Sequence, residues 1–145
     1  RLNEDKFWKK ENCVLITPKG QASRGCRRLI SRLAAKKLPV IVFTDCAAWG
    51  WYIYWAIKTG SMNLAYLATD IATPQAKFIG VTMQDIKDYD FLAKLTIKAK
   101  EVDIKRAEEM LGYEWINRHP AWVEELKTVL KTKKKIEQDA LQGPS

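Results

Sequence analysis

Five consecutive residues, Pro39-Val40-Ile41-Val42-Phe43, limit what this chain can become more than any other stretch. The run is short, rich in β-branched side chains and apolar without alternation, which is the pattern of a parallel strand covered on both faces. It ends on Thr44-Asp45, and a strongly aromatic segment, residues 49–57, follows at once. That segment is apolar almost all round and is expected as a buried helix. Strand, acidic turn and helix in that order make a unit of the α/β class with a mainly parallel sheet. In open sheets of that class ligands bind beyond the carboxyl ends of the strands, and Asp45 stands there.

The same punctuation recurs elsewhere. Residues 1–12 read as a helix end carrying Phe7 and Trp8. Cys13-Val14-Leu15-Ile16 reads as a buried strand, ended by Thr17-Pro18-Lys19-Gly20. Residues 21–37 are expected as a helix, 64–68 as a short helical stretch and 77–81 as a third strand. Thr82 and Asp85 have the spacing of a capping box. Asp103 is expected to cap a helix running to Leu111 and closed by Gly112. Pro120 suits the first turn of a last helix, with Trp122, Leu126, Val129 or Leu130, and Ile136 as its apolar stripe. The basic run Lys131, Lys133, Lys134 and Lys135 reads as a solvated face. One domain is expected over residues 1–141, with 142–145 as a frayed tail.

Charge narrows the partner. The 145 residues hold 25 Lys and Arg against 17 Asp and Glu, a formal net charge of +8. Such an excess favours polyanions, nucleic acid foremost. On the helix over 21–37, Cys26, Leu29, Ile30 and Leu33 share one arc at about 100° per residue. Arg24, Arg28 and Arg32 follow at i, i+4, i+8 on the opposite side, with Arg27 beside them. A solvated face is the plain alternative, but four arginines without an acidic neighbour suit a row of phosphates. Lys19, between a strand and a helix, stands where a helix N-terminus meets a phosphate. The acids Asp85, Asp88 and Asp90 read as solvated helix-end groups, and Arg118-His119-Pro120 as the turn that starts a helix.

The three cysteines, Cys13, Cys26 and Cys46, form no CxxC pair, and His119 is the sole histidine. A zinc site and a disulfide framework are therefore not expected. Isolated cysteines in apolar runs fit reduced thiols and a cytoplasmic protein. No apolar run reaches the roughly 18 residues of a membrane helix, and no signal peptide opens the chain.

The segment LPVIVFTDCAAWGWYIYWAIKTGSMNLAYL resembles the second acidic motif of the Toprim fold, as found in the A subunit of archaeal-type DNA topoisomerase VI, and in the related meiotic double-strand-break proteins. The family pattern is an apolar strand followed by T-D-x-D-P-x-G-W-x-I-Y. Thr44, Asp45, Trp49, Gly50, Trp51, Ile53 and Tyr54 fit it. RLNEDKFWKKENCVLITPKGQASRGCRRLISRL, AKFIGVTMQDI and EWINRHPAWVEELKTVLK resemble further segments of that subunit, so the likeness covers nearly the whole chain. It implies a Toprim-like, Rossmann-like sheet flanked by helices, with a C-terminal helical segment. It also implies a type IIB topoisomerase, an isomerase that makes transient double-strand breaks for ATP-driven strand passage. The partners implied are DNA, ATP-binding B subunits and a second A subunit, in the nucleoid. The implied cofactor is Mg2+, a hard ion suited to carboxylates, water and phosphate oxygens.

The departures from that pattern matter as much. The family pair of aspartates would stand at 45 and 47, but position 47 is Ala47 and the expected proline is Ala48. Asp45 is thus the one metal-binding residue expected. The family's first acidic residue belongs on a strand expected to precede Arg1, and its nucleophilic tyrosine on a winged-helix domain further upstream. Tyr52, Tyr54, Tyr66, Tyr89 and Tyr113 do not match that tyrosine and read as packing residues. No catalytic residue is expected here, magnesium binding is expected to be weak or lost, and these residues alone are expected not to cleave DNA. Adjacent alanines in an intact motif point to an engineered change, with a natural degenerate relative as the other source. A rival reading is a metal-independent module whose arginine face grips the DNA backbone. Another, Asp45 as the phosphoacceptor of a receiver-like domain, needs a further acidic pair that the sequence does not display.

Overall fold

Side chains that bond their own backbone set several element boundaries in the computed structural model, which describes residues 2–61 and 69–142. After a single turn, α1 (Phe7–Lys10), comes α2 (Arg24–Ala35). Ser23 starts α2 by accepting the Cys26 N–H at 3.2 Å, and Lys36 ends it, so the helix is shorter at both ends than the expected 21–37. β1 (Ile41–Val42) leads into α3 (Ala48–Thr59), which Gly60 closes at a φ of 79°, in the left-handed region. β2 (Lys77–Phe78) leads into α4 (Met83–Asp88). The expected capping box is present there: Thr82 Oγ1 accepts the Asp85 N–H at 3.0 Å and Asp85 Oδ2 accepts the Thr82 N–H at 2.8 Å. Then follow α5 (Asp90–Lys94), β3 (Ile97–Lys98), α6 (Glu101–Leu111), α7 (Glu114–Asn117) and α8 (Pro120–Thr132). β4 (Lys134–Lys135) and a 3-10 turn, Gln138–Gln142, end the described chain.

β1 and β2 pair in parallel, Ile41 beside Lys77 and Val42 beside Phe78. Backbone bonds from Thr44 to Gly80 and from Val81 to Thr44 carry the pairing to the end of the apolar run. β3 and β4 pair antiparallel, and an isolated antiparallel bridge joins Cys46 to Ile136. The chain is therefore mixed α/β, with a small parallel sheet and helices around it.

The core lies on one side of that sheet. Trp51, Met110, Ile116, Leu126, Val129 and Ile136 are fully buried, each removal from water being favourable by about 1.5–3 kcal/mol for a typical large apolar side chain. Tyr54, Trp55, Phe78 and Trp122 form a ring cluster, with Tyr54 5.2 Å from Phe78 and Trp122 5.1 Å from Phe78. The expected all-round burial of residues 49–57 holds for most of α3, although Trp49 is exposed.

Several expectations need correction. Cys13-Val14-Leu15-Ile16 is not a strand: no ladder reaches it among the described residues, and Val14, Leu15 and Ile16 are exposed. β1 is not covered on both faces. Val42 points into the core, while Ile41 is 60% exposed and Ile79, beyond β2, is 61% exposed, because no described element lies over that side. Leu29 is 50% exposed rather than buried, since the inward arc of α2 is centred on Ile30 and Ala34. Asp103 sits in the first turn of α6 instead of before it, and reaches back to accept the Lys100 N–H at 3.2 Å. Ile136 is buried, but beyond the end of α8. The expected helical stretch at 64–68, Tyr66 and the tail residues 143–145 lie outside the described residues. No helix among the described residues is long and apolar enough to cross a membrane.

Candidate functional site

The joint between β1 and α3 is built by close approach. A Cβ placed on Gly50 would lie 2.4 Å from the Asp45 carbonyl oxygen, so only glycine lets α3 start this near the strand end. Asp45 stands three residues beyond β1, and its Oδ1 accepts the Gln138 N–H at 2.8 Å. Between these residues Cys46 and Ile136 exchange backbone bonds of 2.9 and 3.1 Å. Burial pushes the Cys46 thiol far up, the nearby carboxylates of Glu125 and Asp85 adding to it, so this sulfur stays protonated and inert. The antiparallel register of the bridge sets Ala47 across from Lys135 and Asp45 across from Glu137.

A cavity of about 630 Å³ opens at this joint, and its walls include Asp45, Ala47, Trp49, Lys100, Arg106 and Lys135. Lys135 is only 8% exposed. Its Nζ lies 3.0 Å from Glu137 Oε1 and 3.6 Å from Asp103 Oδ2. Burial alone would lower its pKa, but the bond to Glu137 and the charge of Asp103 outweigh it and hold the ammonium above the ordinary lysine value. Arg106 lies over the stacked Trp49 and Tyr52 rings, 4.6 and 4.4 Å from their centroids, and donates to Glu109 at 2.7 Å. Sequence reasoning placed Lys135 in a solvated run and did not single out Lys100 or Arg106. The apolar Ile136 beside Lys135 was the one available signal that this run turns inward.

Magnesium would need several hard oxygens in one place. Of the motif's two carboxylate positions Asp45 alone supplies one, and the buried Ala47 offers none. No group of three or more His, Cys, Asp or Glu side chains among the described residues is arranged to hold a metal ion. A lysine ammonium lines the same cavity. The described residues by themselves do not fit a magnesium ion.

The arginines of α2 divide. Arg24, Arg28 and Arg32 are exposed on the outer side, Arg28 pairing with Asp70 at 2.9 Å. Arg27 is turned inward, where its Nη1 donates to the Gly60 carbonyl at the end of α3. Lys19 is exposed with a φ of 55°, ahead of the Ser23 cap. Elsewhere Asp85 is spent in its capping box, Asp88 accepts from Gln84, and Arg118 pairs with Glu114.

The sequence profile for the Toprim domain of Spo11 and the topoisomerase 6 A subunit matches residues 1–145. The chain is 49% identical over 156 residues to the A subunit of Type 2 DNA topoisomerase 6 from Pyrococcus abyssi, an alignment covering 100% of this chain and 40% of that protein. It is 42% identical over 144 residues to the corresponding A subunit from Methanocaldococcus jannaschii, covering 97% of this chain and 38% of that one. With the DNA topoisomerase 6 A subunit of Arabidopsis thaliana it shares 33% identity over 142 residues, covering 97% of this chain and 33% of the plant protein. The chain thus spans at most about 40% of the length of these relatives.

Proposed function

The chain belongs to the family of Toprim domains shared by Spo11 and the topoisomerase 6 A subunit, and from that premise we propose that it is the DNA-contacting Toprim domain of a type IIB topoisomerase, with a metal site reduced to Asp45. The match along all 145 residues carries this reading. Asp45 at the carboxyl end of a parallel strand supports it, because that is where such sheets meet their ligands. The proposed partners are DNA, ATP-binding B subunits and a second A subunit. The proposed reaction of the whole assembly is double-strand breakage coupled to ATP-driven strand passage. Within these residues no group is proposed as catalytic. Ala47 provides no second carboxylate, so magnesium binding is proposed to be weak or lost, and the 145 residues alone are proposed not to cleave DNA.

Contact with DNA is assigned to Lys19 and to the outer arginines Arg24, Arg28 and Arg32. Arg27, tied to Gly60, helps to fix the orientation of α2. Phosphate contacts release counterions, so affinity should fall steeply with salt and depend little on base sequence. Fluorescence anisotropy of a labelled duplex across a salt series tests this. Changing Arg24, Arg28 and Arg32 together to Ala is expected to make the plot of log affinity against log salt shallower by about three units. An unchanged slope would reduce the arginine face to a solvated surface. The metal-independent reading gains from one observation, the ammonium of Lys135 across from Ala47.

A further inference from the structure

We propose that the outward face of the β3–β4 ribbon, which carries Lys98, Lys100 and Lys134, is a second contact surface for the phosphate backbone of duplex DNA. It is separate from the α2 arginines and rests on the DNA reading for the identity of its ligand. Its own support is where the excess charge sits. Segments 94–100 and 127–135 contain eight lysines and no Asp or Glu, and the rest of the chain is balanced, with 17 Lys and Arg against 17 Asp and Glu. The pairing of β3 with β4 brings those two segments side by side. All eight lysines except Lys135 are exposed, and among the described residues none of these seven makes an ion pair.

The register concentrates the charge further. Lys98 stands directly across from Lys134, and residues so paired point to the same face of a ribbon. Ala99 donates to the Lys133 carbonyl at 2.8 Å, which makes Lys98 and Lys134 the adjacent non-hydrogen-bonded pair, the closer kind. Like charges in that position oppose folding. Asp103 and Glu137 do not relieve them, because both are bonded to the inward Lys135. Lys100, two residues on in extended backbone, lengthens the row. It borders the cavity beside Asp45, whereas Lys98 and Lys134 stand outside it.

Such a row reads charge density. Duplex DNA presents one negative charge per ~1.7 Å of its axis. An extended acidic peptide presents one per ~3.3 Å at best, so the duplex is the better complement. The ribbon is also distinct from the arginine face. Arg27 bonds Gly60 at one end of α3 and the Cys46–Ile136 bridge stands at the other, with 12 residues, about 18 Å of helix, between them.

The test is anisotropy of a labelled duplex with the whole chain, in EDTA, across a salt series. Changing Lys98, Lys100 and Lys134 together to Gln should make the plot of log affinity against log salt shallower by about three units. Combined with the triple arginine variant, the loss should reach about six. Changing Lys6, Lys9 and Lys10 to Gln removes the same charge from the exposed α1 region and should leave the slope alone. Lys98→Glu turns the like-charged pair into an opposite one, so it should melt no lower than the parent while its duplex affinity falls. An oligoglutamate at equal charge should displace the duplex about tenfold less well than unlabelled duplex does.

An unchanged slope in the lysine variant overturns the inference and leaves the DNA reading standing. An equal loss in the α1 control, a combined loss of only three units, a lower melt for Lys98→Glu, or equal displacement by oligoglutamate also overturns it. A flatter slope from the lysines with none from the arginines keeps the ribbon and removes the arginine face. A parent that binds no duplex removes both.

Discussion

The two faces of β1 differ by more than their residues do. Val42 belongs to the core with Trp51, Tyr54, Trp55 and Trp122 packed on its side, while its neighbours Ile41 and Phe43 look outward and are exposed. All three side chains are apolar, and two of them are β-branched. What separates them is the layer above: α3 and α8 cover one side, and no described element covers the other. Burial in a strand is thus decided by the neighbouring layer, and an apolar run only licenses it.

The largest effect that could break this contrast lies on the covered side. Trp51→Ala should destabilise the fold by about 3–5 kcal/mol, since it empties a large volume that the helices cannot close over. Trp51 also donates from Nε1 to the Val81 carbonyl at 3.4 Å, an acceptor that would be left without it. Urea unfolding followed by circular dichroism measures this, and a loss near zero would mean that the aromatic cluster is not what holds the sheet.

On the open side Ile41→Thr keeps the β-branch and should cost about 0.5 kcal/mol or less, as most exposed substitutions do. A cost close to that of Trp51→Ala would show that the outer face is packed after all.

The smallest effect is a trend with pH on the covered side. Glu125, half-buried on α8, accepts the N–H groups of Met83 and Gln84 at 2.6 and 3.2 Å and so closes the start of α4. Burial pushes its pKa above the usual carboxylate value, with the two backbone bonds opposing. The folded state therefore holds this proton more tightly than the unfolded state. The stability it contributes is fully present below the unfolded pKa and is lost as pH rises through the folded one. Glu125→Gln lacks this titration, so its stability relative to the parent should rise across that window. A pH series of urea midpoints that keeps the two proteins parallel would contradict the assignment.

What could be read from the sequence was what neighbours along the chain decide. The Thr82–Asp85 capping box is a contact across three residues, and Pro120 needs only its own ring to open α8. The aromatic segment of α3 is apolar on every side, so any packing would bury most of it. Cys13-Val14-Leu15-Ile16 failed because its composition describes a strand without naming a partner. At the site, Asp45 was legible from its place after an apolar run. Lys135 was not. It stands beside Lys133 and Lys134, chemically the same, and only the β3–β4 pairing and the carboxylates of Asp103 and Glu137 single it out. Arg27 and Arg28 are likewise adjacent and identical, yet one bonds Gly60 and the other Asp70.

The bond from Gln138 to Asp45 also puts the site on a clock. The chain leaves the ribosome from its N-terminus, and local helices form in about a microsecond, long before the next residue is added at roughly 5–20 residues per second. Asp45 therefore emerges, and α3 can coil behind it, while the amide that will cap its carboxylate has not yet been made. Lys135, Ile136 and Gln138 arrive almost last among the described residues, and with them the far wall of the cavity and the bridge to Cys46. Until then the acidic strand end has only water and passing ions for company. The site is finished only once the segment that closes it has been made.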